Sequence, residues 1–189
     1  MQRTGTFRRR IVFEILSVVI LLLLIFADQF TKIYIKNLAE TTTWNKTTVI
    51  EGFFYIDYLM NTGAAFGFLG DKAWGQIFFK IITVVALACF IAFYVIICKK
   101  NYKFLRFSLI LIIAGTIGNF IDRLAYGAVV DFLSFILFGG YHFPTFNLAD
   151  TFLTVGVIML IIHYLFLDEN SIIPKRNGKK DISSNEWKL

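Results

Sequence analysis

The stretch GTIGNFIDRLAYGAVVDFLSFILFGGYHFPTFNLADT, residues 115–151, sets Asp122, Arg123, Asp131 and Asp150 among long apolar runs. A carboxylate moved into hydrocarbon costs a few kcal/mol on insertion scales, so an ionisable residue at membrane depth is a functional candidate by default. Composition establishes the membrane. The 189 residues are 57% hydrophobic and the mean hydropathy is +0.68, against about 45–50% apolar residues in a soluble domain. The net charge of +6 does not point to nucleic acid. The basic residues gather at the N-terminus, around residues 99–106 and in the tail, as they do on the cytoplasmic flanks of membrane spans.

Working outward, four apolar runs, residues 11–30, 74–97, 104–121 and 151–167, match the ~17–25 residues that a crossing needs. They predict an all-α membrane protein: one four-helix domain over residues 1–167 and a polar cytoplasmic tail over 168–189. Arg8, Arg9 and Arg10 before the first run resemble the start of a signal peptide. The run exceeds the usual ~7–15 residue apolar core and no A-x-A-like site follows, so a retained helix is expected. Basic residues lie before the first run, between the second and third, and after the fourth, which predicts that both termini are cytoplasmic. Residues 37–73 then form an outward loop. Its Thr47, Thr48, Val49, Ile50, Phe53, Phe54 and Tyr55 are β-branched and aromatic, the composition of short strands, so a small β-rich extracytoplasmic element is expected. The glycine-rich NTGAAFGFLGD, residues 61–71, reads as a turn or a short movable surface helix. Cys89 and Cys98, nine residues apart on one helix, lie beyond disulfide reach.

Helical rise brings the carboxylates to one depth. At about 1.5 Å per residue, Arg10 to Asp28, Lys103 to Asp122 and Asp168 back to Asp150 each span roughly 27–28 Å, close to the ~30 Å hydrocarbon core. Taken singly, each is a solvated helix end, with Asp28 paired to Lys32 at i, i+4, or Asp122 neutralised by its neighbour Arg123. Asp131 and Asp150 differ from that. Asp131 sits in AVVDFLSF, where desolvation raises a carboxyl pKa, whereas Asp150 follows FNLA at a helix start that Asn147 can cap. Two carboxyls in unlike environments, or sharing one proton, suit aspartyl acid–base chemistry: one activates water and the other polarises a carbonyl. There is no H-E-x-x-H, His142 and His163 fall on opposite faces, and Ser134 has no evident Lys or His base.

DQFTK from Asp28, NTGAAFGFL from Asn61, GTIGNFIDR from Gly115, VVDF from Val129 and FNLADTFLTVG from Phe146 occur in one order. Across residues 11–167 the chain thereby resembles the signal peptidase II family, the lipoprotein signal peptidases of bacterial inner membranes. The resemblance implies a membrane aspartyl endopeptidase that removes signal peptides from prolipoproteins, cutting just before a diacylglyceryl-modified cysteine, with its site near the outer face. It implies Asp131 and Asp150 as the catalytic pair, Asp28, Asn61, Asn119, Arg123 and Asn147 as dyad-supporting or substrate-binding residues, and Asp122 as a polar structural residue. Asp122 is the competing candidate for the first catalytic carboxylate. Its adjacency to Arg123 favours a salt-bridged, permanently ionised group.

No metal or cofactor is expected. The expected partners are the lipidated precursor and membrane lipid, with the chain acting as a monomer. The tail and the GGYH insertion, residues 139–142, have no clear counterpart in the family pattern. Outer-face aromatics including Trp44, Tyr58, Phe132, Tyr141 and Phe143 read mostly as an interfacial belt. A proton-coupled transporter is the alternative, but it predicts charges spread through the bilayer depth. A non-catalytic peptide-binding scaffold leaves a buried Asp131 without a purpose.

Overall fold

The computed structural model describes residues 2–44, 46–63, 73–98 and 102–168, without the side chains of 2–10 and 73. Residues 64–71 of the glycine-rich segment and the tail beyond Asp168 lie outside the described residues. In chain order the elements are α1 (Gln2–Thr41), β1 (Lys46–Ile50), β2 (Phe54–Asn61), α2 (Ala73–Ile97), α3 (Lys103–Ala125), β3 (Val129–Leu137), β4 (Tyr141–Phe146) and α4 (Leu148–Ile162). A single π turn, His163–Leu167, prolongs α4. Four spans long and apolar enough to cross a membrane result: Ile11–Thr41, Trp74–Ile97, Lys103–Ala125 and Leu148–Leu167. The first is longer than its hydrophobic run because α1 continues past Phe30 to carry the sheet.

The third span is the axis of the bundle. Its most apolar stretch is 72% buried, against 6–11% in the other three, whose outward faces are left for lipid. Close approach of α3 to α4 and to α1 depends on glycine. A Cβ on Gly115 would lie 2.2 Å from the Ala149 carbonyl oxygen, and one on Gly118 would lie 2.5 Å from Asp28 Oδ2. Small residues at such crossings let backbones touch where no hydrophobic effect drives helices together. The end of the bundle remote from the sheet is held differently. Arg106, 5% exposed, pairs with Glu14 at 2.5 Å and donates to the Tyr94 hydroxyl at 3.2 Å, joining α1, α2 and α3. Its guanidinium also lies 4.2 Å from the centre of the Phe13 ring, a cation–π contact that is favoured when desolvated.

At the other end a four-stranded antiparallel sheet runs in the order β1-β2-β3-β4. β1 and β2 occupy the threonine- and aromatic-rich loop, as its composition predicts. β3 and β4 double the sheet beyond that expectation, and the GGYH insertion supplies both the glycines of the turn between them, Gly139 at φ 76° and Gly140 at φ 79°, and the first two residues of β4. A left-handed backbone at both positions is accessible to glycine at little cost. The start of β3 is anchored rather than loose: the Val130 N–H donates to Asp122 Oδ2 at 3.0 Å. The sheet is also tied to the end of α1, where the Tyr58 hydroxyl reaches Glu40 at 3.4 Å.

Candidate active site

Beneath the sheet, three helices meet at a buried charge cluster. Lys32 is 1% exposed, with Nζ 3.0 Å from Asp28 Oδ2, 3.2 Å from Asp122 Oδ2 and 2.9 Å from Asn119 Oδ1. The Gln29 side-chain amide donates to both carboxylates at 3.1 Å. Asp28 Oδ1 accepts the Ala149 N–H at 2.9 Å, which fixes the first turn of α4 to α1. The expected i, i+4 pair of Asp28 and Lys32 is present. The expected neutralisation of Asp122 by Arg123 is corrected, since Lys32 is the cation beside Asp122. Consecutive helical residues point in different directions, so sequence neighbours do not face each other.

Above that cluster Asn147 links the two remaining aspartates. As the N-cap of α4 its side chain accepts the Asp150 N–H at 3.0 Å, while the Asn147 N–H donates to Asp150 Oδ2 at 3.1 Å, a reciprocal capping box. Its Nδ2 donates to Asp131 Oδ1 at 2.7 Å. Asn119 Nδ2 donates to Asp150 Oδ1 at 2.7 Å, and Asn61 Nδ2 to Asp131 Oδ2 at 2.9 Å. Asp131 and Asp150 therefore come from a strand and a helix start, share one asparagine, and face one cavity of about 560 Å³. Desolvation, helped by the nearby Asp150 charge, pushes Asp131 up to about 6 against the opposing hydrogen bonds of Asn61 and Asn147. Burial acts in the direction that the apolar flanks of Asp131 predict. Asp150 instead sits at the positive end of a helix dipole, where a negative charge is favoured.

Arg123 opens onto the same cavity and makes no ion pair among the described residues; its Nη1 donates to the Asn119 carbonyl at 3.4 Å. Tyr141 and Phe143, 54% and 44% exposed, also line the cavity, a contact that their reading as interfacial belt residues did not include, whereas Phe132, read with them, is buried at 5% exposure. Opposed strand residues share a sheet face, so the Phe54, Phe135 and Phe143 row belongs to the face that carries Asp131. Phe135 stacks on Phe54 at 4.6 Å and on Phe146 at 5.7 Å. The alignment of these aromatics into one row, and a role for Phe135, Gln29, Thr154 and Val155, were outside what the sequence indicated. DQFTK did hold the signal for Gln29, one residue from Asp28. Among the described residues no group of His, Cys, Asp and Glu could hold a metal ion.

Fold and site together define a multi-pass membrane protein with a carboxylate pair at one end of its helices, beneath an aromatic sheet. The family model for signal peptidase (SPase) II matches residues 20–166. Lipoprotein signal peptidases of Clostridium tetani and Bacillus pumilus are 45% and 43% identical over 148 residues, covering 78% of this chain and 90% of each relative. A bacterial membrane enzyme structure determined by the in meso method at 2.3 Å resolution aligns with a TM-score of 0.67 at 36% identity, over 84% of this chain and 93% of that one. A second, at 1.9 Å resolution, gives 0.65 at 38% identity, over 80% and 94%. The chain belongs to the signal peptidase II family and is a membrane peptidase.

Proposed function

We propose that this peptidase removes signal peptides from prolipoproteins, using Asp131 and Asp150 as an aspartyl pair and cutting just before a diacylglyceryl-modified cysteine. The observation that carries the reading is the Asn147 side chain, hydrogen-bonded at once to the Asp131 carboxyl and the Asp150 backbone. Asp150, ionised at the helix start, takes a proton from water as the water oxygen attacks the scissile carbonyl carbon. Asp131, protonated, gives its proton to the carbonyl oxygen. In the reverse transfers Asp150 protonates the leaving nitrogen, Asp131 recovers its proton, and the C–N bond breaks. Asn61, Asn119 and Asn147 orient the carboxyls, Arg123 meets the peptide backbone in the cavity, and Asp28 and Asp122 hold the supporting frame.

The lipid acts as a positioner in this reading. Burying a methylene from water contributes about 0.8 kcal/mol, but an acyl chain already in the bilayer gains little of that on binding. Its use is to hold the scissile bond at the depth of the aspartates, so loss of the lipid should lower kcat more than it raises KM. Steady-state kinetics on matched modified and unmodified precursors in one detergent, with product masses, test the proposal. Equal kcat with only a raised KM, or cleavage elsewhere than before the cysteine, would overturn it.

A pH profile examines the acid. Asp131 donates only while protonated, so kcat/KM should fall on the alkaline side as the free enzyme titrates near pH 6. Asn61 hydrogen-bonds the carboxyl and lowers its pKa, so Asn61→Ala should move that limb to higher pH. A limb left in place, or moved down, would count against Asp131 as the acid.

The orientation proposed has both termini cytoplasmic and the sheet outside, on the distribution of basic residues in the sequence. Thr47→Cys, with Cys89 and Cys98 replaced, should react with an impermeant thiol reagent in intact cells. Reaction only after lysis would reverse the topology.

A further inference from the structure

The far end of the sheet exposes Ile50, Phe53, Leu137, Phe138, Tyr141 and Phe143, and Phe138 at the apex is 104% exposed relative to a free side chain. They gather because the two hairpin turns lie side by side: Phe54 pairs with Phe135, and the Ile136 N–H donates to the Phe53 carbonyl at 2.8 Å. Exposed residues at the start of β1, namely Lys46, Thr47 and Thr48, are polar by contrast. A continuous apolar surface of this kind marks a place that another apolar phase covers.

The cavity wall indicates which phase. Tyr141 and Phe143 of β4 line the same space as Thr154 and Val155 of α4. Val155 lies seven residues into a helix that starts at Leu148, about 10 Å along the span at 1.5 Å per residue. The outer part of β4 therefore faces α4 across a cavity that extends about two turns along that span. Val155 and Ile158 are themselves 43% and 51% exposed on a membrane-spanning helix, so the apolar end of the sheet continues a lipid-facing surface. Aromatic side chains, Tyr among them, suit the boundary between headgroups and acyl chains.

We propose that the turn between β3 and β4, with Phe138 at its apex, inserts into the lipid leaflet at the sheet end of the bundle and docks the sheet on the membrane beside α4. Lipid then closes that flank of the cavity, and a membrane-borne chain enters between β4 and α4. The docking does not depend on the proposed substrate or on the aspartyl chemistry.

The test places a nitroxide label at Phe138→Cys in protein lacking Cys89 and Cys98, reconstituted in phosphatidylcholine and phosphatidylglycerol vesicles. Collision with oxygen, which concentrates in lipid, is compared with collision with a water-soluble nickel chelate. Thr48→Cys on β1 serves as the control, and thermal unfolding verifies that both labelled proteins are folded. The oxygen-to-nickel collision ratio should be several-fold higher at residue 138 than at residue 48. Equal, water-like ratios would overturn the proposal. So would a label at residue 138 shielded from both reagents, since protein and not lipid would then cover the tip.

Discussion

Asp131→Asn and Asp150→Asn are each expected to lower turnover by at least about a thousandfold, the upper range for loss of a positioned acid or base. An amide neither takes a proton from water nor delivers one to a carbonyl oxygen. Because the two groups act as one unit, the double variant should be little worse than either single one. Stability separates the variants further. The Asp131 carboxyl is pushed up from its ordinary 3.8 to about 6, so the folded state binds the proton more tightly than the unfolded chain does. Stability therefore falls as pH rises from about 4 to about 6 and stays lower above that. The difference of roughly two units corresponds to at most about 3 kcal/mol. Asp131→Asn removes this cost but leaves one of the two donors, Asn61 or Asn147, without an acceptor. The variant should unfold no earlier than the parent at pH 7.5, and should lose the stability change between pH 4 and 6. Asp122→Asn, which loosens the Val130 N–H and the Lys32 pair, should reduce folded yield instead. A well-folded, inactive Asp122→Asn beside an active Asp131→Asn would reassign the pair.

Lys32→Met should be among the most destabilising single changes in the chain. It leaves Asp28 and Asp122, 0% and 1% exposed, without their shared counter-charge. Removing one partner of a buried ion pair costs about 3–5 kcal/mol, because the remaining charge stays desolvated. The loss should spread to the site, since Asp28 holds the Ala149 N–H and Asp122 holds the Val130 N–H, one residue from Asp150 and Asp131 respectively. Adding Asp122→Asn to Lys32→Met should recover part of the stability, as one stranded charge is removed. Unfolding of the purified protein in detergent, followed by denaturant titration, measures both steps. A Lys32→Met protein as stable as the parent would mean that the cluster is neutral or hydrated, contrary to its geometry.

Much of this site was legible residue by residue. The i, i+4 spacing of Asp28 and Lys32 places them on one helix face whatever the rest of the chain does, and the structure pairs them. Asn147 before LAD is a local capping pattern, and it caps. The burial of Asp131 followed from its apolar neighbours in the chain. Asp122 was harder, because adjacency to Arg123 suggested a partner that helical geometry directs elsewhere. The strand β3 was hidden for another reason: VVDFLSFIL is a near-continuous apolar run, and such runs do not distinguish a buried strand from a helix by period.

What the sequence alone determined was therefore everything governed by local physics. Run length and hydropathy decide the four spans, a fixed rise per residue brings Asp28, Asp122 and Asp150 to the same end of the bundle, and β-branched and aromatic composition decides the first two strands. Tertiary structure decided the partners. Lys32 meets Asp122 across 90 positions of sequence, Asn147 reaches Asp131 from the far side of a hairpin, and the exposed Tyr141 and Phe143 also form part of a cavity wall. Charge pairing and hydrogen bonding act over a few ångströms in space and carry no fixed separation along the chain. Only the packing of α1, α3, α4 and β3 could bring those side chains within range.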